Sequence, residues 1–524
     1  MGREIGFHAN LSSGSEKLKK NPEDCLIRFD SGNGITFEDA RHHILVMGTT
    51  GSGKTADVIL PVLERMMAKG HSGVIVDVKG NMSSQTRTFA KHCGRSADIV
   101  EFGSSPTATP VNILNNMNIN DVRSFLETLT NGCVSHADHN KYWHLKGVHQ
   151  AGDCVQLLRY LMKFNAIFEP SISMISALIN NFHLSNQLYD LYKKEVYDKE
   201  DVEQYTFVKR FESDAFHIFN PPPENDNDRA ELERMHQLTW HMQAIRMALK
   251  DFMDGPGIRR GFATKGAGGI DLRGLLEQNK IVLLRFAPDT GPIGASLARI
   301  ILEEYYKAVY ATGLNMPEGR YTFACLDEFQ AFADLSNARY SDTNFAAQAR
   351  EFHAIFVAST QSMSAIANQG NSLAAVEALV SNCNARVLFY SDDIATQAMA
   401  GRYGNIRLNE LKSGEAFVVQ YDTEERSHSY GVETLHDAYK MTQDILRQSG
   451  YSVGKNYGIS AETEVADEMT LLNKFLKELK EKEQKENKPK KRVVEKSSLS
   501  SLGNKPHPPS KLFLLDDEES EIEA

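Results

Sequence analysis

Gly48-Thr49-Thr50-Gly51-Ser52-Gly53-Lys54-Thr55, preceded by the apolar run His-Ile-Leu-Val-Met at 43–47, decides how this chain of 524 residues is read. The glycines let backbone N–H groups approach phosphate oxygens with no Cβ in the way. In such a loop the Lys54 ammonium faces the β- and γ-phosphates, and the Thr55 hydroxyl is a Mg²⁺ ligand. The surroundings agree. Residues 43–47 predict a buried strand, and Val58, Ile59, Val62, Leu63, Met66 and Met67 recur at helical spacing after the loop. Pro61 lies inside that helix and predicts a kink. Strand, glycine loop and helix in this order predict a P-loop that binds ATP with Mg²⁺.

A second acidic strand end completes such a site, and two are on offer. One ends at Asp77, the other at Asp327. The second is stronger because Glu328 follows it: Asp327 can hold Mg²⁺ through water while Glu328 orients and deprotonates the attacking water. Adjacent acids after a buried strand predict an NTPase that hydrolyses. Asp77 and Lys79 end a strand of the same sheet; their charges either reach the phosphate side or mark an ordinary exit into a loop. The run 354–361 is a buried strand ending in Thr360 and Gln361, and Gln361 is read as a sensor of the γ-phosphate or lytic water. Arg350, just before that strand, is either a surface arginine or a group that reaches a neighbouring subunit's γ-phosphate.

Composition narrows the class. The net charge of −11 argues against a generally basic, nucleic-acid-coating surface. Six scattered cysteines with no CxxC pair suit a reducing cytoplasm. Residues 1–33 contain no apolar core of a signal peptide, and no run approaches the ~20 apolar residues that span a bilayer. Cys133, His136, His139, His144 and His149 crowd together, but their spacing matches no zinc pattern, and a polar face is the better reading.

Along the chain, residues 1–25 read as a flexible segment and 26–117 as the first part of a nucleotide-binding domain, opening with a hairpin around 30–34. Residues 118–265 lose all strand patterning and predict an all-α insertion. Alternating strands and helices resume over 266–425, so the fold class is α/β, with a mostly parallel sheet covered on both faces. Residues 426–460 read as a connecting segment and 461–524 as a tail, for which disorder is the default. The basic run 488–492 is read as solvated charge. The acidic end, 512–524, sets a short apolar stretch beside clustered acids and suits an adaptor docking on a basic groove.

Four segments resemble the type IV coupling proteins, the TraD/TraG-like ATPases of conjugation and type IV secretion. They are 43–55, 76–80 (Val-Asp-Val-Lys-Gly), 325–329 (Cys-Leu-Asp-Glu-Phe) and 349–362, with Tyr142-Trp143 opening the helical insertion. The resemblance implies a RecA-like motor interrupted by an all-α domain, assembled as a homo-hexamer around a channel. It also implies ATP hydrolysis that drives single-stranded DNA with its relaxase, or protein effectors, into a secretion channel, with the all-α domain recruiting them. By position, Lys54 and Thr55 take the P-loop roles, Asp327 and Glu328 the metal and base roles, Gln361 the sensor role, and Arg350 that of a finger acting on a neighbour. Family members usually begin with a membrane-spanning segment; here attachment to the inner membrane from the cytoplasm through partners is expected. Two other readings stay open: a double-stranded DNA pump or helicase of the FtsK/HerA type, and a nucleotide-gated adaptor.

Overall fold

Strand β3 (Ile44–Met47) is buried at every residue, as a strand covered on both faces must be. In the computed structural model, which describes residues 21–80, 82–133, 141–214, 216–219, 229–286, 290–422, 427–451 and 468–486, this strand lies within a sheet of nine. The other members are β4 (Ser72–Asp77), β5 (Ile99–Gly103), β6 (Ile281–Arg285), β7 (Thr322–Leu326), β8 (Ala354–Thr360), β9 (Ala385–Leu388), β10 (Glu415–Asp422) and β11 (Ser427–Thr434). A separate hairpin precedes them, with β1 (Cys25–Arg28) antiparallel to β2 (Gly34–Thr36). The sheet order is β11-β10-β9-β3-β8-β7-β4-β6-β5. From β9 to β5 every neighbouring pair is parallel; β10 is antiparallel to both its neighbours, so it alone runs against the rest.

Strands β8 and β7 therefore separate β3 from β4, although β4 follows β3 in sequence. Parallel register brings Met47 opposite Thr360 and Leu326 opposite Ala358. The carboxyl ends of β3, β8 and β7 thus lie side by side, where open α/β sheets place their ligands.

Between β5 and β6 the described chain is helical from Ile119 to Phe262. The long helices Lys141–Met162 and Arg229–Asp254 pack on each other and on Ile119–Cys133. Two helices follow end to end, Ile172–Asn180 and Phe182–Asp198, parted where the Asn181 side chain caps the second by accepting from Leu184 N. At the base of this region the departing and returning chains clasp. Val111 N donates to Gly261 O (2.9 Å), Ile113 N to Phe262 O (3.0 Å) and Thr264 N to Val111 O (3.1 Å). A Cβ on Gly261 would lie 2.1 Å from Gly103 O, so the close backbone approach needs glycine.

Residues 426–460 are more than a connection. They contain β11 and the helix His436–Gln448, whose Leu446 joins the core of the β3 side. No residue of β11 with a described side chain is buried, so it carries no apolar signal to read. The expected kink at Pro61 takes another form. Lys54–Ile59 is a wider π-helical turn, in which Leu60 N bonds Thr55 O, and an α-helix runs from Leu60 to Ala68 with Pro61 in its first turn. The change of winding seats the proline where an α-helix leaves its N–H groups unbonded.

The chain forms two units, Met1–Leu471 and Leu472–Ala524. Of the second, the structure describes the later part of a helix, Glu468–Glu486; the basic run 488–492 and the acidic end fall outside the described residues, as do residues 1–20, His136 and His139. Among the described residues no helix is long and apolar enough to cross a membrane, and no group of three metal-binding side chains occurs.

The segment after β7 is anchored by a buried ion pair. Arg299 Nη1 meets Asp342 Oδ1 at 2.7 Å, Tyr306 donates to the same oxygen at 2.6 Å, and Asp334 N donates to Asp342 Oδ2 at 2.7 Å. Removing one partner leaves an uncompensated buried charge. Asp342→Ala is expected to lower stability by about 3–5 kcal/mol, read as a shifted urea midpoint; a change within experimental error would contradict this account.

Candidate active site

The glycine loop 48–53 leaves the end of β3 between β8 and β9. Gly48 N donates to Thr360 O (3.3 Å), and Thr49 N to Tyr390 O (2.9 Å). Gly53 takes φ 106°, and a Cβ there would lie 2.2 Å from the Asp57 carboxylate. Lys54 is buried and donates to Gly48 O (2.7 Å) and Thr49 O (2.9 Å), so its ammonium lies within the curve of the loop. Burial lowers its pKa, while the charges of Glu328 and Asp327 work to raise it.

Opposite the loop, the end of β7 supplies two acids with different surroundings. Thr55 Oγ1 donates to Asp327 Oδ2 at 3.4 Å. Asp327 is buried, and among the described residues its Oδ1 has no hydrogen-bond partner. Burial raises its pKa, and the neighbouring Glu328 charge adds to this. Glu328 sits in the left-handed region (φ 50°, ψ 41°), which turns its side chain out of the strand direction. Its Oε1 is paired with Lys79, and its Oε2 accepts from Gln330 Nε2 (2.6 Å) and Gln361 Nε2 (3.2 Å). Burial would raise the Glu328 pKa, but Lys79 together with the Gln361 and Gln330 amides outweighs it and holds the value below that of an ordinary glutamate.

The structure thus gathers Gly48 to Thr55, Asp327, Glu328, Gln361 and Lys79 at one edge of the sheet. Thr50 and Gly51 form the exposed apex of the loop. Asp77 is engaged elsewhere: its Oδ2 accepts from Met82 N (2.8 Å), Ser83 N (3.0 Å) and Ser83 Oγ (2.9 Å), at the start of the helix Ser83–His92. Arg350 lies at the other edge. It precedes β8, a strand of 7 residues whose far end meets the P-loop, and its Nη1 is 3.5 Å from His42 Nδ1. At ~3.3 Å per residue, the strand alone sets Arg350 roughly 20 Å from its own loop.

These residues fit a triphosphate and a divalent cation. A loop crowded at Gly48 and Gly53, an enclosed ammonium, and a hydroxyl beside a buried carboxylate with one open oxygen form a hard-oxygen site with a cationic wall. Gln330 and Asp57 are additions that the sequence reading passed over. Gln330 follows Glu328 by two residues, a spacing with no pattern of its own.

Residues 10–146 match the family described as "Type IV secretory system Conjugative DNA transfer". No curated protein matches the chain by sequence. Its fold is shared with the plasmid coupling protein TrwB. The TrwB structures with the non-hydrolysable ATP analogue ADPNP, with the GTP analogue GDPNP, and with ADP and Mg²⁺ align with TM-scores of 0.53, 0.51 and 0.52, each at 15% identity. The alignments cover 80%, 79% and 79% of this chain and 90%, 89% and 89% of TrwB. The chain therefore has the TrwB fold, with helical insertions in a largely parallel sheet.

Asp57, beneath Gly53, has its pKa pushed up to about 6 by burial, against a weaker opposing pull from His436. The unfolded chain ionises this carboxyl near its ordinary value and the folded chain does so later, so stability falls as pH rises from about 4 to about 6 and is level above. Asp57→Asn is expected to be more stable than the parent at pH 8, by on the order of 2 kcal/mol, with the difference gone below pH 4. Denaturant titrations at the two pH values check this; equal gains at both would exclude ionisation as the cause.

Proposed function

We propose that this chain is an ATP-hydrolysing coupling protein that recruits a DNA–relaxase or protein substrate and drives it into a type IV secretion or conjugation channel. The observation that carries the reading is the contact between Thr55 and Asp327, which joins the phosphate loop to the acidic strand end and sets Glu328 beside both. The family match over residues 10–146 and the TrwB fold support the setting.

Mg-ATP, when bound, supplies the phosphoanhydride to be cleaved. Lys54 and the loop N–H groups hold its β- and γ-phosphates, while Thr55 and Asp327 hold the metal. Glu328 accepts the proton of the attacking water on a carboxylate oxygen, and Gln361 orients that water or senses the γ-phosphate. Arg350 sits too far from its own loop to act there, so its role is toward the loop of a neighbour in a homo-hexamer. Residues 26–117 and 266–425, together with β11 and the helix His436–Gln448, form the motor, and the helical insertion 118–265 recruits substrate. The chain works in the bacterial cytoplasm, held at the inner membrane through partners, and its acidic end docks an adaptor.

Hydrolysis by the purified chain tests this. Lys54→Ala is expected to lose nucleotide binding and turnover together. Glu328→Gln should still bind ATP while turnover falls by roughly 10²–10⁴-fold, the usual contribution of a positioned base. Stimulation by single-stranded DNA would mark DNA as the substrate, and a response to duplex alone would favour the FtsK/HerA-type translocase. Full turnover in Glu328→Gln would sink the reading.

A further inference from the structure

A general base needs an oxygen aimed at water, and both oxygens of Glu328 are already engaged by donors. Oε1 is paired with the Lys79 ammonium; Oε2 accepts the amides of Gln330 and Gln361. The Glu328 side chain is 12% exposed and that of Lys79 43%, so the cation closes the solvent side of the carboxylate. Lys79 stands in the turn after β4, where Gly80 N returns to Asp77 O at 3.4 Å. Asp77 in turn fastens that turn to the helix Ser83–His92. The lysine thus reaches Glu328 from a neighbouring strand, as the exposed residue of a short turn whose Asp77 and Gly80 are buried.

We propose that Lys79 is a latch on Glu328: its ion pair holds the carboxylate away from water, and movement of the turn after β4 releases it. The inference rests on Glu328 being the base, as assigned above. The chemistry of the pair supports it. An ammonium on the acceptor oxygen competes with water for the same lone pairs. A lysine serving the phosphates would face the P-loop, where Lys54 already occupies the curve. The turn lies at the carboxyl edge of the sheet beside the nucleotide site, so a substrate or neighbouring subunit pressing on it can draw the cation off. Gln330 and Gln361 then remain as neutral donors that hold the carboxylate in place without neutralising it. Hydrolysis by an idle protomer is thereby restrained until the turn is moved.

The test uses the full chain with Mg²⁺ and ATP, first without nucleic acid and then with a single-stranded oligonucleotide. Glu328→Gln decides the premise: if it turns over like the parent, the base assignment and the latch fall together. With that variant inactive, Lys79→Met decides the latch alone. Its unstimulated kcat is expected to rise by roughly three- to tenfold, the population shift from losing one half-exposed ion pair, with KM for ATP unchanged. Lys79→Arg keeps the cation and should bring the rate back toward that of the parent. A fall in kcat with raised KM would make Lys79 a phosphate ligand, and an unchanged kcat would make the pair inert; either overturns the latch while leaving the ATPase reading intact. An equal rise in Lys79→Arg would point to a loosened turn and would also overturn it.

Discussion

A hydroxyl-to-carboxylate contact of 3.4 Å, between Thr55 and Asp327, joins parts of the chain 272 residues apart. It forms only if β3, β8 and β7 stand in one register, because slipping a strand by one residue turns its side chains to the opposite face. The sheet meets this demand through burial on both sides. Ile44–Met47 and Thr322–Leu326 have no solvent face, so each backbone N–H and C=O must find a partner in the ladder. The packing that excludes water from the strands thus also sets the hydroxyl against the acid.

Two carboxylates that are adjacent in sequence are made chemically unlike by that packing. Asp327 stays in the line of the strand, deep in the protein, and its pKa is raised by burial. Glu328 is turned out by a left-handed backbone step into a ring of donors, and its pKa is lowered once Lys79 and the amides overcome burial. One backbone dihedral separates a group suited to a metal from a group suited to handling a proton.

Much of this was legible in the sequence, for physical reasons that differ by element. Buried parallel strands are continuous apolar runs, and 43–47 and 354–361 could be read with ends in error by a residue. The glycine loop was legible because few chains space three glycines before Lys-Thr. By contrast β11 was invisible: its residues stay at the surface, and what holds it is backbone pairing with β10, which has no side-chain signature. The helix Val202–Ser213 went unread for want of a strong apolar stripe. The pairing of Lys79 with Glu328 spans 249 residues and depends on β4 lying beside β7, an adjacency that sequence order conceals. The position of Arg350 at the far edge of the sheet also follows from topology, since only strand direction decides which end of β8 meets the loop.

The clasp of 111–113 against 261–264 closes the helical region where it leaves the sheet, between the adjacent strands β5 and β6. Beyond the clasp, the helix Ile119–Cys133 also packs on Gly291–Thr312, where Lys307 Nζ meets Asp121 Oδ1 at 3.0 Å. The helical region is therefore tied to the rest of the chain at that helix pair as well as at the clasp, and a change within it is felt at both places.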